Sequence, residues 1–133
     1  MQDADGRRVR IVDTLEAARL LFGPVLGRAR DGRLYMAHLT ADSRLIGLRL
    51  RYAPPDSPVE FPVRKIIADA LALGTHSLIL AHNHPSGDPE PSATDLETTR
   101  SLVQIARPLG LTVRDHLIFG GGRVTSLRAL GLL

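Results

Sequence analysis

The sequence predicts an α/β domain in which helices flank one mixed β-sheet. Two observations predict this class: apolar residues recur at helical spacing in three segments, and short apolar or alternating runs between them have the character of strands. The predicted order is helix, hairpin, helix, strand, helix, hairpin, which suits a layered sheet. The chain has 133 residues, 44% of them hydrophobic, so it can bury a core as a single domain, but it is too short for a βα barrel.

The first third of the chain predicts one helix and one hairpin. Asp13-Thr14-Leu15-Glu16 has the spacing of a capping box, and apolar residues then recur at helical intervals until Gly23-Pro24, where we expect the helix to end. Residues 33–39 and 44–50 are rich in Leu, Ile and Tyr, and a turn-like segment separates them. These two runs predict an antiparallel hairpin.

A second helix and a buried strand are predicted in the middle of the chain. The proline-rich residues 54–58 predict a loop, and Pro62 opens a helix that Gly74 ends. The predicted buried stripe of this helix is formed by Val63, Ile66, Ile67, Ala70 and Leu71. Residues 77–81 are apolar without alternation, which is typical of a strand buried on both faces, and they lead directly to His82.

The last part of the chain predicts a third helix and a second hairpin. Ser92 is the predicted N-cap, Asp95 follows three residues later, and Gly110 is the predicted stop. The residues expected to face inward are Leu96, Thr99, Leu102, Val103 and Ala106. Residues 111–119 and 123–127 predict two strands joined through three successive glycines.

The composition excludes several classes of protein. The sequence has no cysteine, which excludes disulfide scaffolds, cysteine-ligand zinc fingers, iron–sulfur sites and thiol nucleophiles. Any metal must therefore be held by His, Asp or Glu. The longest apolar stretches are far shorter than a membrane span, and the polar start of the sequence lacks the apolar core of a signal peptide. We therefore expect a cytoplasmic protein without a membrane partner.

The basic charge is dispersed along the chain. The net charge is +3, and all but one of the 17 basic residues are arginines, Lys65 being the exception. Nucleic-acid binders usually cluster their basic charge and add stacking aromatics, whereas aromatic residues are 4% here. We expect duplex DNA to bind weakly, without sequence preference and with a steep loss of affinity as salt rises. A tight, salt-tolerant, sequence-selective complex in a titration would contradict this prediction.

Two histidines stand where the buried strand runs into a loop. His82 and His84 are two residues apart, so in extended backbone they project on the same side and can bind one metal ion. A catalytic zinc has three protein ligands and an open position, and Asp95 is the candidate for the third ligand. The intervening residues 85–91 have the prolines and glycine of a tight return. From spacing alone, a structural His pair and an ordinary capping box at Ser92 remain the alternatives.

The spacing of these residues resembles a known signature. His82, His84, Ser92 and Asp95 match the His-x-His-x7-Ser-x2-Asp pattern of the JAMM/MPN metalloproteases. Metallo-β-lactamase-like sites follow a different pattern, because they place an Asp-His pair two residues after the His-x-His.

A longer stretch resembles one branch of that family. Residues 82–92, which read HNHPSGDPEPS, together with Asp115-His116-Leu117-Ile118, resemble the bacterial RadC-like proteins, once labelled as DNA repair proteins. The similarity runs from about Arg30 to Leu133. It divides the chain into an N-terminal arm with a short helix, residues 1–29, and a RadC-like JAMM/MPN domain, residues 30–133.

The resemblance implies a fold, a cofactor and a reaction. The fold would be JAMM/MPN-like, which is also called cytidine-deaminase-like. A zinc ion would be held by His82, His84 and Asp95, with a water in the fourth position as the nucleophile on the carbonyl of a peptide or isopeptide bond in a peptide or protein substrate. Ser92 would hydrogen-bond the developing oxyanion while also capping its helix. His116, with its neighbour in the 115–118 segment, would brace the fold or the metal ligands.

One position departs from the family pattern. The family's catalytic glutamate, which moves the proton of the zinc-bound water, stands at the start of the first central strand, and that place falls at or beside Gly32. Glycine cannot act as a general base. Asp31 is adjacent but shorter, and a shift of one residue points a side chain to the other face of a strand. Glu60, ahead of the second helix, is the remaining candidate.

Three functional hypotheses follow from this pattern. The first is a zinc hydrolase of the RadC-like JAMM family. The second is a metal-bound or metal-free MPN scaffold that binds a protein partner without cleaving it. A site without the general base would turn over poorly, since general-base assistance is worth about 10²–10⁴-fold in rate. The third is a DNA-associated module. The helix-hairpin-helix segment that RadC-like proteins often carry ahead of this domain has no counterpart in residues 1–29, which disfavours the third hypothesis.

Overall fold

The computed structural model describes residues 6, 8–52 and 61–133. The predicted loop at 54–58 and the candidate base Glu60 lie outside these residues. The predicted α/β class and the predicted order of helices and strands are confirmed. The elements are α1 (Leu15–Leu26), β1 (Leu34–Leu39), β2 (Leu45–Tyr52), α2 (Val63–Leu73), β3 (Ser77–Asn83), α3 (Ala93–Ala106), a 3₁₀ turn (Arg107–Leu109), β4 (Thr112–Gly120) and β5 (Arg123–Ser126).

The strands form one mixed five-stranded sheet in the order β2-β1-β3-β4-β5. Both predicted hairpins, β1/β2 and β4/β5, are antiparallel. The central strand β3 pairs antiparallel with β1 and parallel with β4. The parallel connection from β3 to β4 runs through α3, so the chain leaves the end of β3 and returns in a helix packed against the sheet.

The sheet is covered on both faces, and β3 supplies residues to both cores. Ile79 and Ala81 pack in the core that contains α1, whereas Leu78 and Leu80 pack in the core that contains α2 and α3. Side chains alternate along a strand, so His82 projects to the same face as Leu80, toward α3. The burial of β3 on both faces explains its apolar run without alternation.

The first helix differs from its prediction at both ends. Its N-cap is Thr14, whereas the predicted capping box begins one residue earlier, at Asp13. The Thr14 hydroxyl accepts a hydrogen bond from the backbone N–H of Ala17 at 3.0 Å. The helix continues through Pro24 to Leu26. Leu26 is fully buried in the α1 core, and Pro24 removes only one backbone donor close to the helix end. Burial of the last turn therefore outweighs the local Gly-Pro stop signal.

The second helix buries a narrower stripe than predicted. Ile66 and Ala70 are fully buried, but Leu71 is 59% exposed. Val63 and Ile67 are partly buried against the same core, and the helix packs against β1 and β2. Gly74 ends the helix in the left-handed conformation, as predicted, with φ of 66°. Among the residues that the structure describes, none of the helices has the length and apolar character that a membrane crossing requires.

Candidate metal centre

Three potential metal ligands converge at the end of β3. His82 lies in β3, His84 follows it directly, and Asp95 stands in the first turn of α3. One ligand atom from each lies within 4.8 Å of the others. The two Nε2 atoms are 3.0 Å apart, and the Asp95 carboxylate oxygens lie 3.3 Å from Nε2 of His82 and 3.1 Å from Nε2 of His84. The structure thus brings together all three residues that the sequence pattern selected.

A capping box holds the carboxylate of Asp95 at the helix terminus. The Ser92 hydroxyl accepts a hydrogen bond from the backbone N–H of Asp95 at 3.0 Å, and the backbone N–H of Ser92 donates to Oδ2 of Asp95 at 2.9 Å. Half-burial acts to raise the pKa of Asp95, but the hydrogen bond from the backbone N–H of Ser92 acts in the opposite direction, and the pKa lies well below its usual range. Asp95 is therefore a carboxylate at neutral pH.

The loop between the two histidines and α3 fixes the ring of His84. Nδ1 of His84 lies 2.8 Å from the backbone carbonyl of Asp88, which can only accept, so the ring proton is on Nδ1. Nε2 of His84 therefore presents a lone pair to Asp95 and His82. The backbone N–H of His84 also donates to the carbonyl of Phe119 at 2.8 Å, which holds the start of the loop beside β4.

Glycines of the β4/β5 turn let this loop pack closely. A Cβ on Gly120 would lie 2.9 Å from the backbone nitrogen of Pro89, and one on Gly121 would lie 2.6 Å from the carbonyl oxygen of Gly87. Gly121 also has a φ of 56°, which disfavours any side chain. The triple glycine thus supports the loop whose Asp88 carbonyl orients His84.

A third histidine lies behind His82. Nε2 of His116, in β4, is 2.6 Å from Nδ1 of His82, and Nδ1 of His116 is 2.6 Å from the hydroxyl of Thr99 in α3. Burial lowers the pKa of His116 to about 3, so its ring is neutral. The neighbouring Asp115 points elsewhere and accepts a hydrogen bond from the hydroxyl of Ser126 at 2.6 Å, which ties β4 to β5.

A cleft opens beside the three ligands. His82 and Asp95 form part of its wall, together with Gly32, the apolar side chains Leu34, Tyr52, Phe61 and Pro62, and the threonines Thr94 and Thr98. A mostly apolar cleft with a few convergent polar groups is the usual form of a ligand site.

Comparison with known proteins agrees with this geometry. The sequence profile of the family described as the RadC-like JAB domain matches residues 12–132, which is nearly the whole chain. The chain belongs to the RadC-like JAB domain family. The JAMM/MPN resemblance and the fold that it implied are thereby confirmed.

Curated relatives of this RadC-like domain are similar over part of their length. UPF0758 proteins of Symbiobacterium thermophilum, Methanospirillum hungatei and Moorella thermoacetica are 53%, 49% and 50% identical to it over 70 residues. The matched stretch is 53% of this chain in each case, but only 30%, 31% and 31% of those proteins. The chain therefore covers about a third of the length of each relative.

This RadC-like domain has a glycine at position 32, where the family pattern leads us to expect the catalytic glutamate. Gly32 borders the cleft, and a Cβ built there would have only the ring of Pro85 within reach, at 4.0 Å. The carboxylate of Asp31 instead accepts a hydrogen bond from Nε of Arg33 at 2.8 Å. Asn83, between the two histidines, holds this segment: its side chain accepts from the backbone N–H of Arg33 at 2.8 Å and donates to the carbonyl of Asp31 at 2.7 Å.

Two residues near the ligands were not recognised as part of the site from the sequence. Thr99 was predicted only as an inward-facing helix residue, and it is buried as predicted. Asn83 was read only as the spacer of the His-x-His pattern. A polar residue on the apolar face of a predicted helix, as at Thr99, was the one available signal that a buried partner exists.

Proposed function

We propose that this RadC-like domain is a zinc-dependent hydrolase that cleaves peptide or isopeptide bonds. The observation that carries the proposal is the convergence of two imidazole Nε2 atoms and one carboxylate at about hydrogen-bond distance. Nδ1 of each imidazole is hydrogen-bonded to a group outside the cluster, so both Nε2 atoms face the carboxylate of Asp95. Such an arrangement is stabilised by a cation.

The chemistry of the donors favours zinc. Two imidazoles and one carboxylate form the ligand set of many catalytic zinc sites, which leave a fourth position open. Calcium and magnesium prefer oxygen ligands instead. The apolar side of the cleft, with Leu34 and Phe61, offers a surface on which a peptide can lie next to the ligands. Membership of a family that includes metallohydrolases supports the same reading.

Residues of this chain would divide the work of hydrolysis. Zinc, when bound, would supply Lewis-acid activation of a water and of the substrate carbonyl. Ser92 would donate a hydrogen bond from its hydroxyl to the developing oxyanion. Capping does not prevent this, because the Ser92 oxygen uses a lone pair to accept from Asp95 and keeps its proton free. The cleft walls would position the scissile bond and exclude bulk water.

A protein-binding scaffold is the second candidate. It is favoured by one observation, the glycine at position 32 where a proton-transferring carboxylate is expected. A domain of this kind would bind zinc and a peptide but turn over slowly, because general-base assistance is worth about 10²–10⁴-fold.

Metal analysis combined with a substrate panel tests the proposal. We expect about one zinc per chain after purification in zinc-containing buffer and dialysis, since three protein ligands suffice for a catalytic site. A panel of fluorogenic peptides and isopeptide-linked lysine substrates should include at least one that is cleaved. Cleavage should stop with a chelator and return with added zinc.

The possible results separate the two candidates. Zinc at one per chain with no cleavage in the whole panel would favour the scaffold. Absence of bound zinc, with the protein folded by circular dichroism, would refute both the hydrolase and the metal-bound scaffold. Cleavage that persists after complete metal removal would refute the zinc mechanism alone.

A further inference from the structure

We propose that Thr99 and His116 are positioning residues that fix which nitrogen of His82 is free to bind the metal. We call Thr99, His116 and His82 the backing network. The inference rests on the metal site of the proposed function. It assigns a role to two residues outside the ligand set, His116 in β4 and Thr99 in α3, which lie behind the ligands.

The direction of every hydrogen bond in the backing network follows from one carbonyl. The Thr99 hydroxyl lies 2.6 Å from the backbone carbonyl of Asp95, and a carbonyl can only accept. Thr99 therefore donates its single proton to Asp95. Two oxygens at this distance without a proton between them would repel each other.

The remaining bonds are then determined in turn. Because its proton is already used, the Thr99 oxygen must accept from Nδ1–H of His116 at 2.6 Å. The ring proton of His116 is thus on Nδ1, which leaves the lone pair of Nε2 to accept from Nδ1–H of His82, also at 2.6 Å. His82 in turn has its proton on Nδ1 and a lone pair on Nε2, which points at His84 and Asp95.

The backing network also connects two ligands from different elements. It starts at the backbone of Asp95 in α3, passes through Thr99 and His116, and ends at His82 in β3. Thr99 and His116 are both buried, at 1% and 2% exposure, so water does not replace these bonds. The network thus sets both the orientation of the His82 ring and its position relative to the carboxylate. Such support commonly changes metal affinity by about 10–100-fold.

Two substitutions in the same helix give a matched test. Thr99→Val removes the hydroxyl and keeps the shape of the side chain, so Nδ1–H of His116 loses its acceptor. Ser101→Ala is the control, because it removes a hydroxyl from an exposed position of the same helix, outside the lining of the cleft. Thr99→Ser is the conservative variant that keeps the hydroxyl.

Zinc affinity is measured by competition with a chromophoric chelator. We expect Thr99→Val to bind zinc about 10–100-fold more weakly than the parent, Thr99→Ser to stay within a few-fold of it, and Ser101→Ala to be unchanged. Equal affinities of Thr99→Val and the parent would overturn the proposal. A loss of equal size in Ser101→Ala would overturn it too, since the effect would then be a general one on the helix.

The tautomer is read directly by nitrogen-15 NMR of the imidazole rings, in the parent without metal. Long-range proton–nitrogen correlations should show His82 and His116 with the proton on Nδ1, and a slowly exchanging Nδ1 proton for His82. The Nε2–H form of His82 would overturn the proposal, even if Thr99→Val fails to fold. Because this measurement needs no zinc, it also separates failure of the backing network from failure of the proposed function. In the second case no variant binds zinc, yet the tautomers are as expected.

Discussion

His84→Ala is expected to reduce bound zinc from about one per chain to background and to abolish any metal-dependent hydrolysis. Nε2 of His84 lies 3.0 Å from Nε2 of His82 and 3.1 Å from Asp95, so the substitution removes one of three converging donors. Two protein ligands hold zinc much less tightly than three. Metal content by elemental analysis and activity on any substrate found in the panel are the measurements.

The effect on the metal should be separable from an effect on the fold. His84 belongs to neither of the buried clusters that cover the two faces of the sheet, so the variant should keep its circular dichroism spectrum. His76→Ala is the matched control, because His76 is an exposed histidine that directly precedes β3, at the opposite end of that strand from the ligands. Asp95→Ala should also lose zinc, but it removes part of the capping box as well. Full zinc content in both His84→Ala and Asp95→Ala would show that the metal lies elsewhere.

Gly32→Glu is expected to raise hydrolysis by about 10²–10⁴-fold if this domain is a hydrolase held back by a missing general base. The physical reason is that activation of a water by zinc still leaves a proton to be taken up and delivered to the leaving amine. Gly32 borders the cleft beside His82 and Asp95, and a new Cβ there has open space. Its φ is outside the left-handed region, so a side chain introduces no backbone strain.

The backbone around position 32 is already held in place for such a side chain. Asn83 bonds the residues on both sides of Gly32, so a glutamate there would start from a fixed backbone position. The rate constant kcat on the best substrate of the panel is the measurement. Gly23→Glu, which adds the same charge on α1 with no atom near the new Cβ, is the control and should leave kcat unchanged.

Asp31→Asn, compared with Gly32→Glu, identifies the group that takes up the proton. If Asp31 already serves as the base, Asp31→Asn should abolish activity and Gly32→Glu should add nothing. The ion pair of Asp31 with Arg33 argues for a structural role instead. If neither substitution changes kcat while His84→Ala removes activity, the base lies elsewhere, and Glu60 is the next candidate. If all variants and the parent bind zinc but cleave nothing, the scaffold is the better description.

The order of the elements could be predicted because the signals are local. Helical periodicity, alternation and the glycines at 74 and 110 act within a few residues, and both glycines adopt the left-handed conformation that ends a helix. Local signals failed where burial competed with them. The Gly-Pro pair predicted the end of α1, yet the helix runs on because Leu26 is buried in the core.

The sequence by itself determined the ligand set of the candidate site. His82, His84 and Asp95 are close in sequence. The periodicity of a strand and the capping box of a helix indicate the direction in which each side chain projects. The backing network was decided only by the tertiary structure. Its members Thr99 and His116 come from different elements, and they reach His82 because β4 pairs with β3 in parallel register and α3 packs over both strands. Pairing across a sheet and packing of a helix depend on the whole core, which no short stretch of sequence encodes.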